Sequence, residues 1–175
     1  VWAFSLATAH SAYPIPTIGH LRLPLYADLA YGAQCLQYFT YWNPGTETWN
    51  FHQAPLTQDG RRSPVYELVR EMNREIQARA DVFLGARVTS VHHTGKDIPM
   101  GTHRLENLPP HIIQLDTHGQ GALVSCLTNK GKEYVVIQNT SVTNSLQTDI
   151  KTDGQLALVL PDGTRQPAAL YGPLF

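Results

Sequence analysis

The spacing of apolar residues along the chain changes near residue 84. Before that point, short apolar runs at residues 2–6 and 35–41 alternate with longer, helix-like segments at residues 17–31 and 63–80. A nearly continuous apolar run is typical of a strand that is covered on both faces, as in a parallel sheet. The pattern therefore predicts the order strand, helix, strand, helix.

The second of these helices has the clearer boundaries. Ser63 is a candidate N-cap, and Pro64 stands at the first helical position. An amphipathic helix shows its apolar residues on one face. Here that face consists of Val65, Leu68, Val69, Met72 and Ile76. In the first helix, Pro24 would remove a backbone hydrogen bond at a cost of roughly 3 kcal/mol, so a kink or a break is expected there.

Beyond residue 85 the helical spacing gives way to short alternating segments that are separated by Gly, Asn, Asp and Pro. Candidate strands lie at residues 87–92, 112–115, 122–128, 133–139, 146–151, 155–160 and 168–171. Turn signals at residues 129–132 and 161–164 predict two hairpins. Strands at this spacing predict an antiparallel β-sandwich. The expected organisation is one domain at residues 1–84 and a second, truncated one at residues 85–175.

The amino-acid composition limits the classes of molecule that the protein is expected to bind. Hydrophobic residues make up 42% of the 175 residues and charged residues 15%, with a formal net charge of -1. This balance argues against a nucleic-acid groove or an anionic-membrane patch, so no nucleic-acid and no membrane partner is expected. The eight histidines have no cysteine or carboxylate partner at ligand spacing, and no glycine-rich phosphate loop occurs. The sequence therefore predicts no metal and no other cofactor.

The segment at residues 29–44 is the most informative part of the chain, because a glycine turn leads into a strand that is rich in aromatic residues. The motifs of this region are Leu21-Arg22-Leu23, Leu29-Ala30-Tyr31-Gly32-Ala33, Tyr38-Phe39-Thr40-Tyr41-Trp42, Phe51-His52 and Asp59-Gly60-Arg61. Over residues 2–62 they resemble the C-terminal part of the barrel in retaining β-galactosidases of glycoside hydrolase family 42 and related clan A enzymes.

This resemblance implies a fold and an activity. The two strands would be the seventh and eighth of a (β/α)8 TIM barrel, so the first 84 residues would be its last two β/α units, followed by an antiparallel β-sandwich accessory domain. The chain would be a fragment of a glycoside hydrolase that acts on a β-galactoside or a related glycan. The remainder of the barrel would be missing from it.

The chemistry of such enzymes requires two carboxyl groups about 5–5.5 Å apart, one a proton donor and the other a nucleophile. The resemblance places the proton donor on a fourth strand outside this chain and the nucleophile at the end of the seventh strand. Residues 2–10 contain no Asp or Glu, and Ser5 stands near the nucleophile's position. A serine hydroxyl does not replace it without a neighbouring base. The catalytic residues are therefore not assigned, and this fragment alone is expected to be inactive.

The expected sugar contacts lie where the strands end. Trp42, preceded by Tyr41, offers an apolar face to the C–H side of a pyranose, with core packing as the alternative role. The resemblance adds Glu47 and His52 from the loop that follows, although a solvated loop carboxylate is an equal alternative for Glu47. His10 lies in the loop after the first strand. Trp49 and Phe51 either line the same loop as Glu47 and His52 or hold that loop in place.

Three interpretations stay open at this point. The first is the glycoside hydrolase, and the second is a non-catalytic carbohydrate-binding protein that has lost the carboxylate pair, which the serine at position 5 favours. The third treats the β-sandwich as an interaction module in a homo-oligomer. Localisation stays open as well, and a secreted or periplasmic location would suit a bacterial glycan-degrading enzyme.

Overall fold

The computed structural model describes residues 1–46, 48–168 and 171–173, the last range by its backbone alone. The helices are α1 (Ile18–Ala30), α2 (Pro64–Ala78) and α3 (Ala80–Phe83). The strands are β1 (Trp2–Leu6), β2 (Cys35–Phe39), β3 (Arg87–His93), β4 (Ile112–Asp116), β5 (Ala122–Asn129), β6 (Lys132–Asn139), β7 (Asp149–Thr152), β8 (Ala157–Val159), β9 (Arg165–Pro167) and β10 (Tyr171–Pro173). Among these helices, none is long and apolar enough to cross a membrane.

The first layer of the molecule is a two-stranded parallel sheet covered on one face by helices. β1 pairs with β2 in a register that runs from Trp2 opposite Cys35 to Leu6 opposite Phe39. Side chains of a strand alternate between its two faces. One face contributes to a core whose buried members are Ala7, Leu21, Leu25, Val65, Val69 and Met72. Trp2 and Phe4 lie on the other face and are exposed.

The two long helices illustrate how local signals compete with burial. The predicted start of α2 is confirmed, because the Ser63 hydroxyl accepts a hydrogen bond from the Val65 N–H at 3.1 Å. α1 continues through Pro24, so the break expected there is absent. Leu21 and Leu25 flank the proline and are fully buried. Burying each contributes roughly 1.5–3 kcal/mol, which is enough to offset the proline's cost.

The strands after residue 84 form three small antiparallel sheets among the described residues, in the orders β3-β5-β6, β10-β7-β4 and β8-β9. Both predicted hairpins are present. Asn129 pairs with Lys132 across a turn in which Lys130 and Gly131 have positive φ values of 49° and 75°. Those values suit the two-residue turn that matches the strand twist. At the second hairpin, the Leu160 N–H donates to the Thr164 carbonyl at 2.9 Å.

A second hydrophobic cluster joins the helices to the β3-β5-β6 sheet. Its buried members are Leu29, Val82, Phe83 and Leu127, which come from α1, α3 and β5. The buried Ser125 hydroxyl donates to the carbonyl of Ala30 at 2.7 Å, so β5 is also held to the end of α1 by a hydrogen bond. The ranges 1–84 and 85–168 thus share one apolar interface.

The predicted fold class is wrong. Within the described residues only α1 and α2 have seven or more residues, and only β1 and β2 pair in parallel. These elements do not form the last two β/α units of a TIM barrel, and the later strands form three separate sheets in place of one β-sandwich. Barrel membership requires that each strand pair with a parallel neighbour on both sides. The spacing of apolar residues along the chain carries no information on that pairing.

Candidate functional site

A pocket of about 410 Å³ opens where β1 and β2 end. We call it the aromatic pocket. It is lined by His10, Ser11, Ala12, Tyr13, Phe39, Trp49 and Phe51. Small-molecule sites are clefts of roughly 300–1,000 Å³ with apolar walls and a few placed polar groups. This pocket falls within that range of volumes and has mainly aromatic walls, but it is shallow and open to solvent.

The two strand ends are fixed to each other directly behind the pocket. The Ala7 N–H donates to the carbonyl of Phe39 at 2.8 Å, which extends the parallel ladder by one step. The Thr8 hydroxyl then donates to the Thr40 carbonyl at 2.7 Å, past a cis peptide bond between Phe39 and Thr40. His10 and Phe39 therefore project from adjacent, mutually bonded segments.

The third wall comes from a loop more than thirty positions further along the chain than His10. The Ser11 N–H donates to the Trp49 carbonyl at 2.9 Å, and the His52 N–H donates to the Ala9 carbonyl at 2.9 Å. These two backbone bonds hold the loop against the segment that follows β1. They place Trp49 and Phe51 opposite His10.

The aromatic rings that line the pocket pack against each other at different distances and angles. The centroids of His10 and Phe51 are 5.1 Å apart with planes inclined by 34°, whereas Phe39 meets Phe51 edge-on at 5.9 Å and 62°. Both geometries are favourable for aromatic pairs. Trp49 is 58% exposed. Its indole is thus the most exposed aromatic side chain of the pocket.

Two polar side chains of the pocket, those of His10 and Tyr13, have defined hydrogen-bond partners. His10 Nδ1 lies 2.8 Å from the Thr8 carbonyl oxygen. A carbonyl oxygen only accepts, so Nδ1 carries the hydrogen and Nε2 of the neutral ring is left as an acceptor. The Tyr13 hydroxyl donates to the Leu6 carbonyl at 3.2 Å. Burial raises the pKa of Tyr13, so the phenol stays protonated.

The predicted binding residues are distributed over more than one place. Of Trp42, Tyr41, Glu47, His52 and His10, the aromatic pocket contains His10. Tyr41 and Trp42 are exposed and continue the chain beyond Phe39. The His52 side chain turns back to its own loop and donates to the Asn50 carbonyl at 2.7 Å. Glu47 lies outside the described residues.

The pocket includes aromatic residues that were not predicted as sugar contacts. Phe39 is the last residue of β2, and Tyr13 follows β1 by seven positions. The signal in the sequence was the density of aromatic residues in the segments that follow β1 and β2, including the loop with Trp49 and Phe51 about ten positions beyond the end of β2. That density alone does not say which segments meet.

Ser5 occupies a different environment from the pocket. It is 1% exposed and stands opposite Tyr38 in the parallel ladder. Its hydroxyl has no hydrogen-bond partner among the described residues. Ser5 lies on the same strand face as the core residue Ala7, so it does not reach a ligand in the aromatic pocket.

Among the described residues, no group of three or more His, Cys, Asp or Glu side chains could hold a metal ion. No family model, curated protein or solved structure matches the chain.

Proposed function

We propose that the aromatic pocket binds a sugar ring, and that the chain is part of a glycoside hydrolase acting on β-galactosides or related glycans. The observation that carries the proposal is the pocket itself, with aromatic walls and a few hydrogen-bonding side chains at the ends of two parallel strands. The resemblance of residues 2–62 to family 42 β-galactosidases supports the reaction class.

A pyranose fits this arrangement chemically. The C–H face of the ring would stack on the exposed indole of Trp49, because an aromatic face is both apolar and partially negative. A hydroxyl on the rim of the same sugar would donate to Nε2 of His10, whose tautomer leaves that atom free to accept. One stacking surface and one fixed acceptor together would define the orientation of the sugar ring in the pocket.

The hydrolytic step requires groups that the aromatic pocket does not contain. Glycosidic hydrolysis uses a pair of carboxyl groups, and none of the described residues lining the pocket is Asp or Glu. In a glycoside hydrolase that pair would come from residues outside the pocket lining. The chain alone is therefore expected to bind sugar without hydrolysing it.

A non-catalytic carbohydrate-binding protein is the second candidate. The burial of Ser5 favours it, since the strand position expected to hold the nucleophile faces the core and carries no carboxylate. Both candidates share the sugar-binding pocket and differ in whether a carboxylate pair joins it.

The test is a calorimetric titration of the 175-residue chain with lactose, which carries a terminal β-galactosyl ring. Trp49→Ala should weaken binding about three- to tenfold, because it removes an aromatic stacking partner. His10→Phe keeps a ring but removes the acceptor, and should weaken binding by a similar factor. Trp2→Ala is the matched control, since Trp2 is exposed on β1 and does not line the pocket.

Equal losses in the Trp49 and Trp2 variants, or no lactose binding at all, would contradict the pocket assignment. Hydrolysis of aryl β-galactosides by the protein in its longest natural form separates the two candidates. Turnover that falls in Trp49→Ala supports the hydrolase. Binding without turnover supports the carbohydrate-binding protein.

A further inference from the structure

The face of the β1–β2 sheet that points away from the helices is apolar and largely exposed. We call it the outer sheet face. Side chains alternate along a strand, and paired residues of neighbouring strands point to the same side of a sheet. The opposite face, with Leu36 and Tyr38, packs on the core between α1 and α2. The register of the two strands therefore assigns six side chains to the outer sheet face, namely Trp2, Phe4, Leu6, Cys35, Gln37 and Phe39.

Three aromatic rings account for most of the exposed area of this face. Trp2, Phe4 and Phe39 are 71%, 66% and 40% exposed. Together they leave roughly 400 Å² of apolar surface in contact with water, given the area that rings of this size cover. Apolar patches of roughly 300–600 Å² on a protein surface are often functional. A parallel sheet is ordinarily covered on both faces, so the outer sheet face lacks a second layer.

The chemistry of the outer sheet face favours a protein surface over a sugar as the covering layer. None of its six side chains is charged, and Gln37 carries the only oxygen acceptor among them. The hydroxyls of a sugar lose their hydrogen bonds to water on such a surface and regain few of them. An apolar protein surface has no such groups to satisfy.

The absence of charge also suits contact with a second copy of this chain. Most homo-oligomers are twofold dimers, in which one patch meets the identical patch of the partner. A charge near the twofold axis would face its own copy and be repelled, and the outer sheet face carries none. The centres of homodimer interfaces are apolar and rich in aromatic residues. The three exposed rings supply about half of the roughly 800 Å² that each partner buries in an interface of standard size.

We propose that two copies of the chain dimerise by packing their outer sheet faces against each other, with Trp2 and Phe4 at the centre. Packed sheets lie about 10 Å apart, so each copy would supply the layer that the other lacks. Phe39 pairs with Leu6, four positions from Trp2 and thus about 13 Å along the strand. The aromatic pocket beyond Phe39 is therefore expected to stay open in the dimer. This inference goes beyond sugar binding and does not depend on it.

The experiment is sedimentation velocity of the 175-residue chain over the micromolar range of concentrations. The mass should rise from the 19.5 kDa of one chain towards twice that value. Trp2→Ala and Phe4→Ala should each raise the dissociation constant of the dimer at least tenfold, as the loss of a central aromatic residue does at other interfaces. Both side chains are exposed, so circular dichroism should show an unchanged fold.

Trp49→Ala is the matched control for these substitutions. It also removes an exposed tryptophan, but Trp49 lies on a loop outside the outer sheet face. The dimer should therefore persist in Trp49→Ala. The two tryptophan variants thus separate self-association, which depends on Trp2, from lactose binding, which depends on Trp49.

A second measurement locates the contact directly. The double variant Trp42→Phe/Trp49→Phe leaves Trp2 as the only tryptophan. Its emission should move to shorter wavelength as the concentration rises, because the indole leaves water when the dimer forms. Constant emission while the mass doubles would place the contact elsewhere and overturn the proposal.

The remaining outcomes distinguish this proposal from the proposed function. A chain that stays monomeric at every concentration would overturn the dimer, as would a dimer that persists in both Trp2→Ala and Phe4→Ala. Lactose that shifts the Trp2 emission at constant mass would show that the outer sheet face binds sugar, which would also overturn the dimer. A Trp2-dependent dimer that binds no lactose would support this inference and overturn the aromatic pocket.

Discussion

The two regions of the molecule differ in how far their aromatic side chains are exposed to solvent. Residues 1–84 leave large rings in contact with water, with Trp2 71% and Trp49 58% exposed. From residue 87 to residue 168, the large hydrophobic side chains that are exposed are all non-aromatic, and the single Phe, Tyr or Trp residue, Tyr134, is partly buried. Exposed aromatic surface is unfavourable in a free protein. In this molecule it is concentrated in the first region.

The two regions also differ in how deeply their charged contacts are buried. In the first region Glu75 is only 9% exposed and binds Arg22, Arg79 and Tyr26 at 2.8, 2.6 and 2.9 Å. The second region places its histidine–aspartate contacts nearer the surface, as in His111 with Asp153. A buried, multiply bonded carboxylate fixes the angle between two helices. The exposed contacts have little effect on stability.

The first and largest prediction tests whether the two regions unfold together. Leu127→Ala removes a fully buried side chain of β5 that packs on Leu29, Val82 and Phe83. The cost should be about 2–5 kcal/mol of unfolding free energy, because a cavity remains in the shared cluster. Urea unfolding should be followed by tryptophan fluorescence and by circular dichroism. All three tryptophans, Trp2, Trp42 and Trp49, lie in the first region, so fluorescence reports that region alone.

If the regions are coupled, the fluorescence transition shifts as far as the dichroism transition even though the substitution lies in the second region. Leu158→Ala in β8 is the control, since Leu158 is exposed and should cost less than about 0.5 kcal/mol. An unchanged fluorescence midpoint in Leu127→Ala would show that the regions are independent.

Secondary-structure elements could be predicted from the sequence where local interactions determine them. Examples are α2, whose start is determined by the Ser63 N-cap, and the hairpin whose turn contains Lys130 and Gly131. Pairing between distant strands could not, because an apolar run specifies a strand and leaves its partners open. The prediction of a barrel was wrong because it depended on how the strands pair.

The site was predictable to a similar extent. The aromatic residues near the strand ends are visible in the sequence, and His10, which was predicted as a sugar contact, lines the pocket; that it contacts a sugar stays a prediction. The roles of Trp49 and Phe51 depend on two backbone bonds between distant loops. No periodicity in the sequence reports such bonds.

The second prediction concerns the buried carboxylate that distinguishes the first region. Burial alone would raise the pKa of Glu75, but hydrogen bonds from Arg22, Arg79 and Tyr26 outweigh it and lower that pKa below its usual value. The carboxylate therefore contributes stability that is present above its unfolded pKa and is lost as the pH falls through the folded pKa. Glu75→Gln should lower the unfolding free energy at neutral pH by about 1–3 kcal/mol.

The measurement is urea unfolding across the acidic range. The difference between wild type and Glu75→Gln should narrow as the pH falls, because the wild-type carboxylate is then protonated too. Glu67→Gln is the matched control on the same helix, as Glu67 is exposed and pairs with Arg70 only. A difference that stays constant down to low pH would contradict the account.

The third and smallest effect tests the contact between the regions at the end of α1. His93 in β3 is buried, and its Nε2 lies 2.9 Å from the hydroxyl of Tyr31. Burial, and secondarily the neighbouring His92, lower the pKa of His93. The folded protein therefore binds this proton less readily than the unfolded chain, whose histidine titrates near 6.5. Stability is then full above about pH 6.5 and falls as the pH drops through the folded pKa.

His93→Gln should flatten the stability profile between neutral and mildly acidic pH, since glutamine hydrogen-bonds Tyr31 without titrating. His103→Gln, at an exposed position of the same region, should leave the slope as in wild type. If wild type and His93→Gln lose stability in parallel below pH 6.5, the titration belongs to another group. If only His93→Gln is flat, the loss of stability in acid belongs to His93 and its contact with Tyr31.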